Sequence, residues 1–533
     1  MKNWLKNTFG KSNPKPPLEW QTEDSILAFL KSHLNADGTL QAEADTLPDE
    51  ERADDEISFA AGLTDALVGA DESKAARARI KRLLELITRV ARNGDAQSKS
   101  DFYREITENE SVIGIIDEYL EKLLQSALPV EPYLFDYAYQ LMAKTPHRNA
   151  VKFGIAILAL CQNKKPVDDL KVLGLHDEFT VFATLALVNL SDNLVDDLWQ
   201  LARGVHGWGR IQLVDRLAEM DLPPSVRDWL VREGYRNSIL YEYLALTCAT
   251  AGQLREKLAA PTIDYDLFYA AGELIVALMD EGPAAGMSAY EAAEETIHHY
   301  LRHAQSQTLQ VADLVALYQL KDYLSSSPSE REVLQSWDAN ELANARIDLN
   351  TILTSKDWSS EIKTALDSPN DQVFWNAKQV AHQFGFDLSD VLWKRLGQAP
   401  LDSFSWYDII TYAPPERPQQ LVDKAIELLP LAAISPGPED SMGLGPDWSK
   451  HQALGHLIVF LQDHPGVGEA IILAGLNSPA IGNRNATLRT LQAWTADHWT
   501  SAIQSELNKL RRIEPTPDTK ADLVKLLNGQ PID

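Results

Sequence analysis

A helix that returns about every thirty residues is what most limits the folds open to this chain. Val151–Leu160, Val181–Leu190, Tyr241–Thr250 and Phe268–Leu278 each set an aromatic residue in a dense Ala/Leu/Ile/Val/Gly run. The aromatic positions Phe153, Phe182, Tyr243 and Tyr269 lie 29, 61 and 26 residues apart, an interval near thirty or twice that. Self-similarity at this period marks stacked supersecondary units, each apolar on a face that its neighbour must cover. Almost no segment alternates with period two, the pattern of a half-buried strand. The expected fold is all-α, a right-handed α-α superhelix of helical hairpins.

Composition narrows the function more than the fold. Apolar residues make up 45% and charged residues 24%, ordinary for a chain that buries a large core. The formal net charge of −28 works against sequence-independent binding of DNA or RNA, which needs a basic surface. It admits a basic protein or peptide partner. The two cysteines, Cys161 and Cys248, sit inside apolar helical runs, where Cys acts as a small hydrophobe. Their spacing suggests neither a zinc site nor a disulfide framework, so no cofactor is expected and a reducing cytoplasm suits the chain. Apolar stretches such as Phe153–Cys161 and Leu454–Leu461 are far shorter than the ~18 residues of a membrane-spanning helix. No apolar secretory segment stands at the N-terminus, and the expected location is the cytoplasm.

Residues 1–22 read as a basic tail and linker. Lys2, Lys6, Lys11 and Lys15 accompany Trp4, Leu5 and Phe9 before Pro14, Pro16 and Pro17. Residues 1–9 have the chemistry to touch an anionic membrane surface, and equally that of a frayed tail. Residues 23–130 form an N-terminal helical region. A helix is expected over Thr22–His33, capped by Thr22. An acidic loop at 37–56 follows, with nine acidic residues against Arg52 alone, the pattern of a solvated segment. Lys74–Ala91 is the clearest amphipathic helix, with Leu83, Leu84, Ile87 and Val90 on one face. A helical-hairpin array occupies 131–324, broken at Pro146, Pro166, Pro223–Pro224, Pro261 and Pro283. Ser325–Ser329 is the expected domain boundary.

The C-terminal part carries a second signature. Leu366-Asp367-Ser368-Pro369 and Leu476-Asn477-Ser478-Pro479 are the same turn, 110 residues apart, with Leu401-Asp402-Ser403 a worn copy. Asp/Asn and Ser can cap the coming helix, and Pro suits its first turn. A small residue, Ala377 or Ala486, follows near the point of closest packing. The units Glu361–Phe386 and Glu469–Trp499 thereby resemble HEAT-type repeats of the armadillo-like superfamily, with Gln372-Val373 and Gly482–Arg484 where that pattern has a Val/Arg pair. The resemblance implies C-terminal HEAT-like repeats over 330–512, a tail at 513–533, and a scaffold or protein-binding role without catalytic residues. Ser435–Ser449 is a Gly/Pro-rich loop, either a functional excursion or a mobile connection.

Two clusters carry the chemistry that a partner or a metal would need. In Gly204-Val205-His206-Gly207-Trp208-Gly209-Arg210, three glycines permit close backbone approach, while His206, Trp208 and Arg210 supply a titratable group, a stacking plane and a forked donor. Asp215 follows. These four residues are the candidate partner-binding site, with a plain inter-helix turn as the other reading. Glu291, Glu295, His299 and His303 recur at steps of four, so three successive members share a helix face. Glu295, His299 and His303 are the candidate metal ligands, against a solvated helix face. His451, His456, Asp463 and His464 cluster around another helix and read as helix-end charges. Thirteen Trp, Trp375 and Trp406 among them, can line a peptide groove or clamp helix pairs. Neither a nucleophile elbow nor a phosphate-binding loop is present.

The expected function is non-catalytic recognition of a protein partner on a concave surface. The alternatives are a metal-dependent hydroxylase, oxidoreductase or hydrolase using the Glu/His cluster, and a peripheral membrane adaptor.

Overall fold

A computed structural model of the 533-residue chain describes residues 24–49, 73–108, 113–130, 132–237, 241–282, 284–327 and 332–532. The fold is all-α, 71% helical, with no strand among the described residues. Pairing of the strand type is limited there to isolated bridges, Leu34 with Leu40 and Ser441 with Ala480. No described helix is long and apolar enough to cross a membrane. The basic stretch 1–22, the Thr22 cap and the acidic block beyond Asp49 lie outside the described residues.

The chain divides into two compact units. One is built mainly on Phe59–Thr308 and Gln319–Ile352, the other on Leu309–Tyr318 and Leu353–Asp533.

In the first unit the recurrent helices pack one on the next. Tyr133–Lys144 lies on Arg148–Leu158, which lies on Asp177–Leu190, which lies on Gly207–Ala218, then Glu242–Ala251, then Tyr265–Met279. Gly154 sits at a close approach between the first two of these helices. A Cβ there would stand 2.8 Å from the Ala138 carbonyl oxygen and 2.5 Å from the Met142 nitrogen, so no side chain fits. The recurring aromatics do not all play one part. Phe153 and Phe182 are buried, while Tyr243 and Tyr269 are half-buried and Phe268 stacks on Tyr300 at 4.9 Å.

Local chemistry fixes the element ends. The first described helix runs Ile26–Ser32, and Ser25 caps it through the Ala28 N–H at 3.2 Å. The amphipathic helix runs Lys74–Asn93, with Ser73 as N-cap and Gly94 closing it at φ +70°. Its buried face is Ile80, Leu83, Leu86, Ile87 and Val90. The acidic segment is folded as far as Asp49, against the expectation of a solvated loop. Ala44 and Leu47 are buried, and the Asp49 carboxylate accepts the Arg148 backbone N–H at 2.7 Å. A carboxylate there caps helix Arg148–Leu158 and matches its dipole, which draws the segment in.

In the second unit, Ser403–Tyr412 packs on Ser449–Leu461, which packs on Ile481–Trp494, which packs on Pro517–Leu527. Glu469–Leu476 lies against both Ile481–Trp494 and Ser501–Ile513. In both units polar bonds span nearly the hairpin interval. In the first unit, Lys164 reaches Asp192, 28 residues on, Lys257 reaches Asp228 across 29, and Arg232 reaches Asp264 across 32. In the second, Lys378 reaches Asp408 across 30 residues, and Arg484 reaches Glu514 across 30.

The two Leu-Asp/Asn-Ser-Pro turns are held differently. After the first, the helix cap is Asn370, which accepts the Val373 N–H at 3.1 Å. After the second, the Ser478 hydroxyl accepts from the Ala480 N–H at 3.3 Å and from Asn483 at 3.2 Å. Glu469–Leu476 and Ile481–Trp494 come close at Gly475, where a Cβ would run into the Thr487 hydroxyl. The Gly/Pro-rich loop is pinned over this second turn. Gly437 N–H donates to Asn477 O at 3.0 Å, and Ile481 N–H to the oxygen of buried Ser441 at 2.8 Å.

Candidate functional site

Within the Gly204–Asp215 segment only Val205 and His206 connect helix Leu194–Gly204 to helix Gly207–Ala218, and the rest is helical. Gly207 takes φ +68°, and Asn237 clasps its backbone. The Asn237 Oδ1 accepts the Gly207 N–H at 2.7 Å, and the Asn237 Nδ2 donates to Gly207 O at 2.9 Å. A Cβ on Gly207 or Gly209 would stand 3.0–3.1 Å from the Asp177 carboxylate, so the glycines admit that group to the helix start. Burial, with Asp45 and Glu178 adding to it, raises the Asp177 carboxyl to about 7.

This geometry corrects the expected four-residue surface at one position. Arg210 is turned inward and is 5% exposed. Its guanidinium donates to Glu233 O at 2.8 Å and to Gly234 O and Val205 O at 3.4 Å, and lies 5.3 Å from the Trp229 ring centre. Those oxygens end the π-helical turn Leu230–Gly234 and helix Leu194–Gly204, where a cation is favoured. Trp208 is half-buried, edge-on to Tyr243 at 5.4 Å. His206 and Asp215 are exposed, and Asp215 accepts the Thr247 hydroxyl at 2.9 Å.

The Glu/His series is also used internally. His303 is buried with its Nε2 2.8 Å from Leu258 O, and Arg302 donates to Leu258 O at 2.8 Å and Ala260 O at 2.9 Å. The pair caps the C-terminus of Leu254–Leu258. Glu295 faces Arg255 at 3.5 Å. Glu295, His299 and His303 are not brought together as ligands, and no group of three or more His, Cys, Asp or Glu among the described residues is arranged to hold a metal ion. The histidines of the third cluster pack on rings: His451 on Trp448, His456 on Tyr407 and His464 on Phe460.

The structure assembles a different surface from the helices that follow the Leu366-Asp367-Ser368-Pro369 turn and its worn copy Leu401-Asp402-Ser403. A groove of about 590 Å³ is lined by Phe374, Trp375, Arg395, Asp402, Phe404 and Asp408 among others. Six aromatic side chains are exposed among the described residues, and four stand on the two helices Asp371–Ala381 and Ser403–Tyr412: Trp375, Phe404, Tyr407 and Tyr412. Phe404 is 65% exposed. Aromatics of this kind anchor interfaces.

Beneath the rings, Lys378 is buried with its Nζ 2.6 Å from Asp408 Oδ1, 3.5 Å from the Trp375 ring centre and 5.0 Å from that of Tyr412. Burial holds its ammonium below the ordinary lysine value, against the opposing pull of Asp408. At the rim, Arg395 stacks on Phe374 at 4.0 Å, donates to Ser368 O at 3.4 Å and pairs with Asp371.

Comparison of the two turns explains why this groove is open. Phe374 follows Leu366 by eight residues, as Arg484 follows Leu476. Arg484 is fully buried, donating to Ser478 O and Pro479 O at 2.9 Å and to both oxygens of Glu514 at 2.7 and 2.8 Å. Where Phe374 stands instead, the turn carbonyl is reached by Arg395 from the next hairpin. Trp375 was legible in the sequence as a groove candidate. Phe404 was not, because an aromatic two residues past a cap reads as core until its face is known. No family of known proteins matches the chain, and no curated protein matches it.

Proposed function

We propose that this chain is a HEAT-like superhelical scaffold that binds a protein partner by seating a segment of it in the groove between Asp371–Ala381 and Ser403–Tyr412. The observation that carries the proposal is the gathering of Trp375, Phe404, Tyr407 and Tyr412 at the surface of two helices. Exposed rings of this size lose stability in water unless something covers them. The hairpin-by-hairpin packing and the paired turns support the repeat reading, and repeat stacks characteristically present such surfaces. The groove requires no chemistry of its residues beyond contact.

The test is a displayed random-peptide library panned on the full chain, with a Trp375→Ala/Phe404→Ala variant of unchanged circular dichroism as counter-selection. Peptides that bind the native chain and lose at least tenfold on the variant are expected. Enrichment of peptides that bind both alike, or no enrichment, overturns the reading.

A further inference from the structure

Resting on that reading, we infer that the groove is built for a cationic side chain, so the partner segment carries an arginine or lysine that enters between Phe404 and Trp375. Three carboxylates line the groove, those of Asp371, Asp402 and Asp408, against the single guanidinium of Arg395. Asp408 is answered by Lys378 and Asp371 by Arg395. Asp402 caps helix Ser403–Tyr412, accepting the Ser405 N–H and hydroxyl at 2.8 Å, and among the described residues no cationic side chain pairs with it. Asp371 keeps 79% of its side chain in solvent and has room for a second cation.

An apolar side chain entering here would strip water from these carboxylates and return nothing. A guanidinium or ammonium keeps them paired and stacks on the open faces of the rings. The chain already uses that chemistry inside the same site, where its own cations lie on the rings of Phe374 and Trp375. The net charge of −28 steers basic segments inward and acidic ones away.

The experiment uses three fluorescein-labelled Gly/Ser nonapeptides carrying three Arg, three Leu or three Glu, titrated by anisotropy into the full chain. The Arg peptide is expected to bind at least tenfold more tightly than the other two. That preference should fall at least fivefold in Asp402→Asn and in Phe404→Ala, and weaken with added salt. Leu-peptide binding that equals or exceeds Arg binding, and still depends on Phe404, overturns the cationic occupant while leaving the groove as the binding site. Arg-peptide binding indifferent to both substitutions is diffuse attraction to an acidic surface and also overturns it. No Phe404-dependent binding of any peptide, with an empty library selection, overturns the groove reading itself.

Discussion

The Nζ of Lys378 lies 2.6 Å from Oδ1 of Asp408, with 1% and 9% of the two side chains exposed, and the pair is bridged across 30 residues. It fastens Asp371–Ala381 to Ser403–Tyr412, the two walls of the aromatic groove. Breaking such a pair on one side strands a charge away from water. Lys378→Met and Asp408→Leu should each lose about 3–5 kcal/mol in urea or guanidinium unfolding. The double variant should recover most of that loss, because two apolar groups leave no orphaned charge.

Arg484 and Arg395 offer a direct contrast. Both reach a Ser carbonyl of the repeated turn, but Arg484 and Glu514 are wholly buried, whereas Asp371 is largely exposed. Arg484→Met should lose about 3–5 kcal/mol and Arg395→Met about 1 kcal/mol or less, by chemical denaturation.

Arg210 closes helix ends in the first unit. Arg210→Met leaves the Glu233, Gly234 and Val205 carbonyls without their donor and should cost about 2–3 kcal/mol. Asp215→Ala, at an exposed position, should stay within about 0.5 kcal/mol. Equal effects of the two would contradict the inward placement of Arg210.

Asp177 links stability to pH. Its carboxyl rises from 3.8 to about 7 in the folded chain, chiefly by burial. Between those values the unfolded chain has released a proton that the folded chain keeps. Stability from this group therefore falls as pH rises through the window, and the loss is complete above the folded value. Asp177→Asn should raise the Tm by about 2–4 °C near pH 8, shrinking toward zero near pH 4, by scanning calorimetry.

Gly154→Ala would drive a methyl group onto the backbone of Ala138 and Met142. An overpacked backbone contact of this kind should cost about 1–3 kcal/mol in thermal or chemical unfolding.

The all-helical class and much of its rhythm were legible in the sequence, because an apolar stripe at helical spacing has few other uses. The amphipathic helix was legible over Lys74–Ala91, and Ser73 and Gly94 close it just outside that run. Helix ends were missed where two polar residues competed, as at Asp367 and Asn370. The sites were less legible. Arg210, His303 and the Gly204–Arg210 glycines look like a binding loop because the residues that cap helix ends are those that bind ligands. Only the position of Glu233, Gly234 and Leu258 in space separates the two uses. Lys378 and Asp408 stand one hairpin interval apart, a signal present in the sequence but indistinct among so many charges.

Glu514 lies just past helix Ser501–Ile513, yet it neutralises Arg484 thirty residues earlier. During synthesis, Arg484 has no carboxylate to meet until residue 514 clears the ribosome. Burying its guanidinium before then would strand a charge, so the settled form of Ile481–Trp494 depends on chain made thirty residues later.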